Sequence, residues 1–165
     1  MASVVAWVGV PPGYKFKNVQ TWDMHGGALG GIFGYGPYGL GWALPCVDQA
    51  VSALLEDLAN RDLLKNTMVV MVGEFGRTPK VNKGAGRDHW PACYSAMIAG
   101  AGIRGGAIYG ESDRHAGQVK SNPVRPEDFG ATLYHALGVP PETPFGPDGF
   151  SGRVSTGKPV LELFG

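Results

Sequence analysis

The apolar run Met68-Val69-Val70-Met71-Val72 constrains this chain most, because it stops at Gly73 and is followed at once by a carboxylate, Glu74. A short, continuously apolar segment reads as a strand covered on both faces. After Glu74 comes a polar loop carrying Arg77, Lys80, Lys83 and Arg87, closed by Asp88-His89-Trp90. A strand that leads into an acid, a cationic loop and a returning histidine is how open α/β proteins place a site outside the carboxyl ends of their strands. The remaining sequence is read as support for that loop.

The surrounding periodicities point to an α/β chain. Leu44, Val47, Val51, Leu54, Leu55 and Leu58 recur at helical steps and predict a helix over 44–64, with Pro45 in its first turn. A helix followed closely by an apolar strand is half of a βαβ unit. Cys93 to Ala99 reads as another buried strand and Ala107 to Tyr109 as a short one. Pro126 to Leu137 reads as a second helix, with Glu127 and Asp128 near its positive end and Gly138 as its stop. Upstream, Ser3–Val10 and Asn18–Trp22 read as strands, and the glycine-rich stretch from Gly26 to Gly41 as a loop or lid. Residues 140–165 form a Pro/Gly-rich tail whose end, Pro159 to Phe164, has the composition of an edge strand. The expectation is one domain over residues 1–165, with no internal repeat. Because the chain opens almost directly in strand-like sequence, it is expected to be incomplete at its N-terminal side.

Composition narrows the function classes. With 165 residues the chain can bury a core. Its 14 basic and 14 acidic residues cancel, which speaks against nucleic acid or an anionic membrane surface as partner. No apolar run is long enough for a membrane helix, and Met1 is followed by no charged n-region of a signal peptide. Cys46 and Cys93 sit in apolar contexts and read as small buried hydrophobes, with a single disulfide as the alternative.

Several side chains bear chemistry. Asp23 and His25 are one residue apart, and in an extended segment that spacing puts both on one face, where they can meet one metal ion. The same pair also fits a turn aspartate beside a solvated histidine. Glu74 either pairs with Arg77 or faces a metal or substrate. His89 is a metal ligand, a general base or a hydrogen-bonded loop histidine, with Asp88 orienting it or ligating beside it. A loop of cations next to a metal favours a sulfate, phosphate or carboxylate ligand. Mixed oxygen and imidazole donors suit zinc or manganese; oxygen-rich sets suit magnesium or calcium. Gly100-Ala-Gly102-Ile-Arg-Gly105 matches a dinucleotide fingerprint but opens no helix, so it reads as a turn between strands. His135 reads as structural, and nothing in the sequence locates His115.

The blocks WDMHGG, VVMVGEFGRTPKVNKGAGRDHWP, AGAGIRGG and RPEDFGATLYHALGV closely resemble the DUF1501 family, over about Val19 to Thr143. That resemblance implies a sulfatase-like member of the alkaline phosphatase/sulfatase superfamily. It implies an α/β/α sandwich with a mainly parallel sheet, of which this chain would be the C-terminal part. It also implies a divalent metal (zinc, calcium, magnesium or manganese) held by Asp23, His25, Glu74 and His89, with Asp88 behind them and Arg77 and Lys80 on the anion. The partner would be a small anionic ester, and an upstream twin-arginine signal would export the protein. Two departures stand out. Phe75 follows Glu74 where the superfamily has histidine, and Cys46 lacks the sulfatase Cys-x-Pro-x-Arg surroundings, so the nucleophile is expected outside this chain.

Overall fold

The structure, a computed structural model, describes residues 22–27, 31–33, 40–146 and 152–165. In chain order the elements are α1 (Leu40–Asn60), β1 (Met68–Met71), β2 (Gly76–Arg77), β3 (His89–Trp90), β4 (Met97–Gly100), β5 (Glu111–Ser112), β6 (Val119–Ser121) and α2 (Pro126–Ala136). Single 3₁₀ turns occur at Leu64–Asn66 and Leu161–Leu163. The chain folds as two compact units, residues 1–56 with 74–94 and residues 57–73 with 95–165, and the boundary falls within α1. The strand expected at Ser3–Val10, all of the strand expected at Asn18–Trp22 except Trp22, which lies in a bend, and most of the Gly26–Gly41 loop lie outside the described residues.

The expected α/β/α sandwich with a mainly parallel sheet is not what the chain forms. Among the described residues the strands make three antiparallel pairs, β1 with β4, β2 with β3, and β5 with β6. The reason lies in the connection after β1. Parallel strands need a crossover that returns the chain to the same end of the sheet, usually through a helix. Residues 72–96 contain no helix, only the β2 and β3 strands, and β4 runs opposite to β1. Met68 therefore faces Gly100, and Met71 faces Met97.

In the first unit, α1 begins earlier than its apolar stripe predicts. Leu40 N–H reaches the Ile32 carbonyl at 3.3 Å, and Ala43 is completely buried. Ala43, Val47, Val51 and Leu55 make the inward line, while Leu44 and Leu54 face outward. Pro45 thus falls inside the helix rather than in its first turn, which removes the hydrogen bond that the Gly41 carbonyl would accept.

In the second unit, α1 stops before Leu64 because Asp62 takes a left-handed conformation (φ 58°). Leu63 N–H then closes on the Leu58 carbonyl at 2.8 Å, a helix-ending turn. β1 and β4 pair beside it, and Gly100 (φ 80°) cannot be replaced cheaply, since a Cβ there would lie 2.1 Å from the Thr67 carbonyl oxygen. Helix α2 forms where expected. Its Asp128 carboxylate accepts from Arg125 N–H at the helix start and from Lys158 N–H of the tail, 3.2 and 2.8 Å. The tail is not an edge strand; it is fastened to α2. Thr132, 1% exposed, donates to the Asp128 carbonyl at 2.7 Å and accepts from Val160 N–H at 3.0 Å.

Candidate metal centre

The site lies within the first unit and is built by one backbone laid against another. Residues 24–27 run antiparallel to 84–87: Arg87 N–H donates to the Met24 carbonyl and Gly27 N–H to the Gly84 carbonyl, both at 2.9 Å. This contact requires glycine. A Cβ on Gly86 would stand 1.9 Å from the His25 carbonyl carbon, and one on Gly26 (φ 90°) 2.3 Å from the Gly84 carbonyl oxygen. Asn82 braces the same crossing. Its Oδ1 accepts from Gly84 and Gly86 N–H at 2.9 and 3.0 Å, and its amide donates to the His25 carbonyl at 2.8 Å.

The loop's ends are pinned as well. Thr78 N–H donates to the Asp88 carbonyl at 2.8 Å, and Asp88 N–H to the Thr78 hydroxyl at 3.1 Å. Arg87 ties the Thr78 and Arg77 carbonyls from within, at 2.5 and 2.9 Å. Pairing of β2 with β3 sets Arg77 opposite His89.

These constraints bring three donor atoms together. Asp23 Oδ1 is 2.9 Å from His25 Nε2 and 2.7 Å from His89 Nε2, and the two imidazole nitrogens are 3.2 Å apart. Separations of this size suit donors that share one cation at roughly 2.0–2.2 Å. The Phe75 ring packs on His89 with centroids 4.0 Å apart and so helps to position the histidine ring.

Asp88 stands behind His25, not His89, with Oδ1 2.8 Å from His25 Nδ1. A carboxylate backing an imidazole is the usual support of a metal-binding histidine, because it sets the tautomer. An ionised carboxylate only accepts, so the His25 proton sits on Nδ1. A neutral His25 therefore turns a bare lone pair at Nε2 toward Asp23 Oδ1 and His89 Nε2. His89 can bring at most one proton to that triangle. Asp23 already accepts from Arg77, so what remains is the open lone pair at His25 Nε2, which can take a second proton or a metal ion.

The titrations follow from this geometry. The hydrogen bond from His89, aided by Arg77, holds the Asp23 carboxyl at about 2, against the pull of burial. The Asp88 hydrogen bond, with the Asp23 charge nearby, raises the His25 imidazole above its ordinary value. His25 and then Asn82 lower Asp88.

The expected ligand set is only partly assembled. Asp23, His25 and His89 form the group of convergent donors, and Glu74, exposed at the start of the loop, is not in it. Arg77 pairs with Asp23 at 2.6 Å rather than with Glu74, and also donates to the Arg87 carbonyl at 3.3 Å. Lys80 is exposed, and its carbonyl accepts from the Thr78 hydroxyl. His115 belongs to the second unit, where its amide donates to Asp113. Sequence reasoning missed Asn82 and Gly86. Their signal was the cluster Asn-Lys-Gly-Ala-Gly before Arg87, the composition of a side-chain-capped turn.

The sequence matches the family described as protein of unknown function, DUF1501, over residues 6–164. The chain belongs to the DUF1501 family. The match takes in every residue of the site, so the Asp23–His25–His89 cluster belongs to the DUF1501 portion of the chain. No curated protein matches it. No solved structure matches it either. No helix of the described residues is long and apolar enough to cross a membrane.

Proposed function

We propose that this DUF1501 chain holds one divalent metal ion through Asp23, His25 and His89 and uses it in the hydrolysis of sulfate or phosphate esters. The observation that carries this reading is the meeting of three atoms able to ligate a metal, 2.7–3.2 Å apart, around a histidine whose proton is already committed to Asp88. Two imidazoles and one carboxylate suit zinc or manganese better than calcium or magnesium. A metal bound there would act as a Lewis acid on the ester oxygens. The chain's own residues have separate tasks. Asp88 keeps the His25 lone pair aimed inward, Arg77 restrains Asp23, and the Asn82 turn holds the two backbones together.

Metal analysis of the purified chain tests the assignment. The wild type should carry about one equivalent, and Asp23→Ala and His89→Ala should carry almost none. If neither substitution changes the metal content, the ligand assignment is wrong. Turnover is tested separately with aryl sulfates and aryl phosphates.

A second reading, a metal- or anion-binding module without turnover, is favoured by one observation. Among the described residues no serine, threonine or cysteine side chain is hydrogen-bonded to Asp23, His25 or His89, and the Thr78 hydroxyl is engaged by Asp88 and Lys80. Stoichiometric metal with no ester cleavage would select this reading.

A further inference from the structure

The four cations that the sequence places in one loop divide into two pairs. Arg77 and Arg87 are committed to Asp23 and to backbone carbonyls. Lys80 and Lys83 are exposed, and among the described residues no carboxylate forms an ion pair with either. Both line one open depression of about 370 Å³, together with Thr78, Val81, Asn82 and Asp88.

Two features make this depression more than a solvated lysine pair. Its backbone is fixed by the Thr78–Asp88 closure and the Asn82 turn, so the lysines project from a preorganised frame. Its wall also includes Asp88, whose Oδ1 contacts His25 of the metal cluster, so the depression adjoins the proposed centre. Asp88 is the one acid among the lining residues against two lysines, and its carboxylate is turned to His25 Nδ1 at 2.8 Å and to the Asn82 amide at 3.4 Å from each oxygen. The lysines are left with an excess of positive potential.

We infer that this depression binds a second anionic group of the substrate, a sulfate, phosphate or carboxylate carried beside the scissile ester. The substrates of this site are therefore polyanionic. The link to a substrate rests on the metal-ester reading above, whereas the anion subsite itself is testable without metal.

The experiment is a titration of the full chain, stripped of metal by chelation, with inorganic pyrophosphate and with sulfate at low ionic strength. Amide resonances report the location. The expected result is saturable pyrophosphate binding, with shifts concentrated in residues 78–88. The doubly substituted Lys80→Gln/Lys83→Gln chain, folded as judged by its unshifted remaining resonances, should bind about fivefold more weakly or worse. Shifts that do not saturate, shifts centred elsewhere, or equal affinity in the doubly substituted chain would each overturn the subsite. Metal content of the unsubstituted chain separates the two ideas. Full metal without anion binding removes only the subsite, while anion binding in a chain that never takes up metal removes the hydrolase reading and leaves the subsite standing.

Discussion

Asp23-Met24-His25 and Asp113-Arg114-His115 have the same spacing and opposite outcomes. In the first, Asp23 and His25 converge with His89, more than sixty positions away along the chain. In the second, the Asp113 carboxylate turns back on its own loop, accepting from the His115 and Gly117 amides at 2.9 Å each between β5 and β6. The difference lies in what crosses each segment. Residues 84–87 lie against the backbone of 24–27, which leaves the Asp23 and His25 side chains facing the β3 histidine. The Asp113 loop instead closes on itself, with Asp113 N–H on the Gln118 carbonyl at 2.9 Å and Ala116 in the left-handed region. The Asp-x-His side chains converge with a third donor where a second backbone segment lies across them, and turn back on their own loop where none does.

The contrast can be broken most forcefully at Gly86. Gly86→Ala puts a methyl group 1.9 Å from the His25 carbonyl carbon, with no flexible side chain to yield. A loss of about 3 kcal/mol in urea unfolding is expected, together with loss of bound metal. Retention of both would show that the backbone crossing is not what assembles the site.

The second comparison is metal affinity across the two Asp-x-His segments. Asp88→Asn should weaken metal binding by roughly 10–100-fold, because it removes the group that orients His25. His115→Ala and Asp113→Asn should leave metal content unchanged. Equal effects from both sets would erase the distinction.

Elsewhere in the second unit, packing rather than site chemistry predicts the cost of a substitution. Thr132→Val keeps the volume but leaves the Val160 amide unpaired in a buried position. The expected loss is about 1–3 kcal/mol with no change in metal content. Normal stability in this variant would mean that the tail is not fastened through Thr132.

The mildest test is pH. His25 is raised from 6.5, so in the metal-free chain its contribution is complete below 6.5 and disappears as pH rises through the higher folded value. Asp23 is lowered from 3.8 to about 2, so its contribution is complete above 3.8 and disappears as pH falls toward 2. The metal-free first unit should gain most from the cluster between those limits, pH 3.8 and 6.5. Metal affinity should move the other way and strengthen as pH rises past the His25 value, since binding displaces that proton. A metal affinity independent of pH from 5 to 8 would remove His25 from the ligand set.

Part of this was legible in residue order. The stripe Leu44, Val47, Val51, Leu54, Leu55 and Leu58 announced α1, although Leu44 and Leu54 face outward, and Pro126 with Gly138 bracketed α2, because helical spacing and end signals are local properties. Asp23, His25, Asp88 and His89 stood out as reactive side chains around a long polar loop. Other features were not legible. Glu74 sits beside the loop yet outside the donor group, and Arg77, read as an anion binder, holds Asp23.

Side-chain chemistry, helix periodicity and the turn-forming Asn82-Lys-Gly-Ala-Gly segment were thus determined along the chain itself. The direction of β4 against β1, the choice of Asp23-x-His25 over Asp113-x-His115, and the pairing of Asp88 with His25 were decided only in three dimensions. Each depends on which backbone lies across which, as at Gly86 over His25, and that close approach links distant segments through contacts that no local pattern encodes.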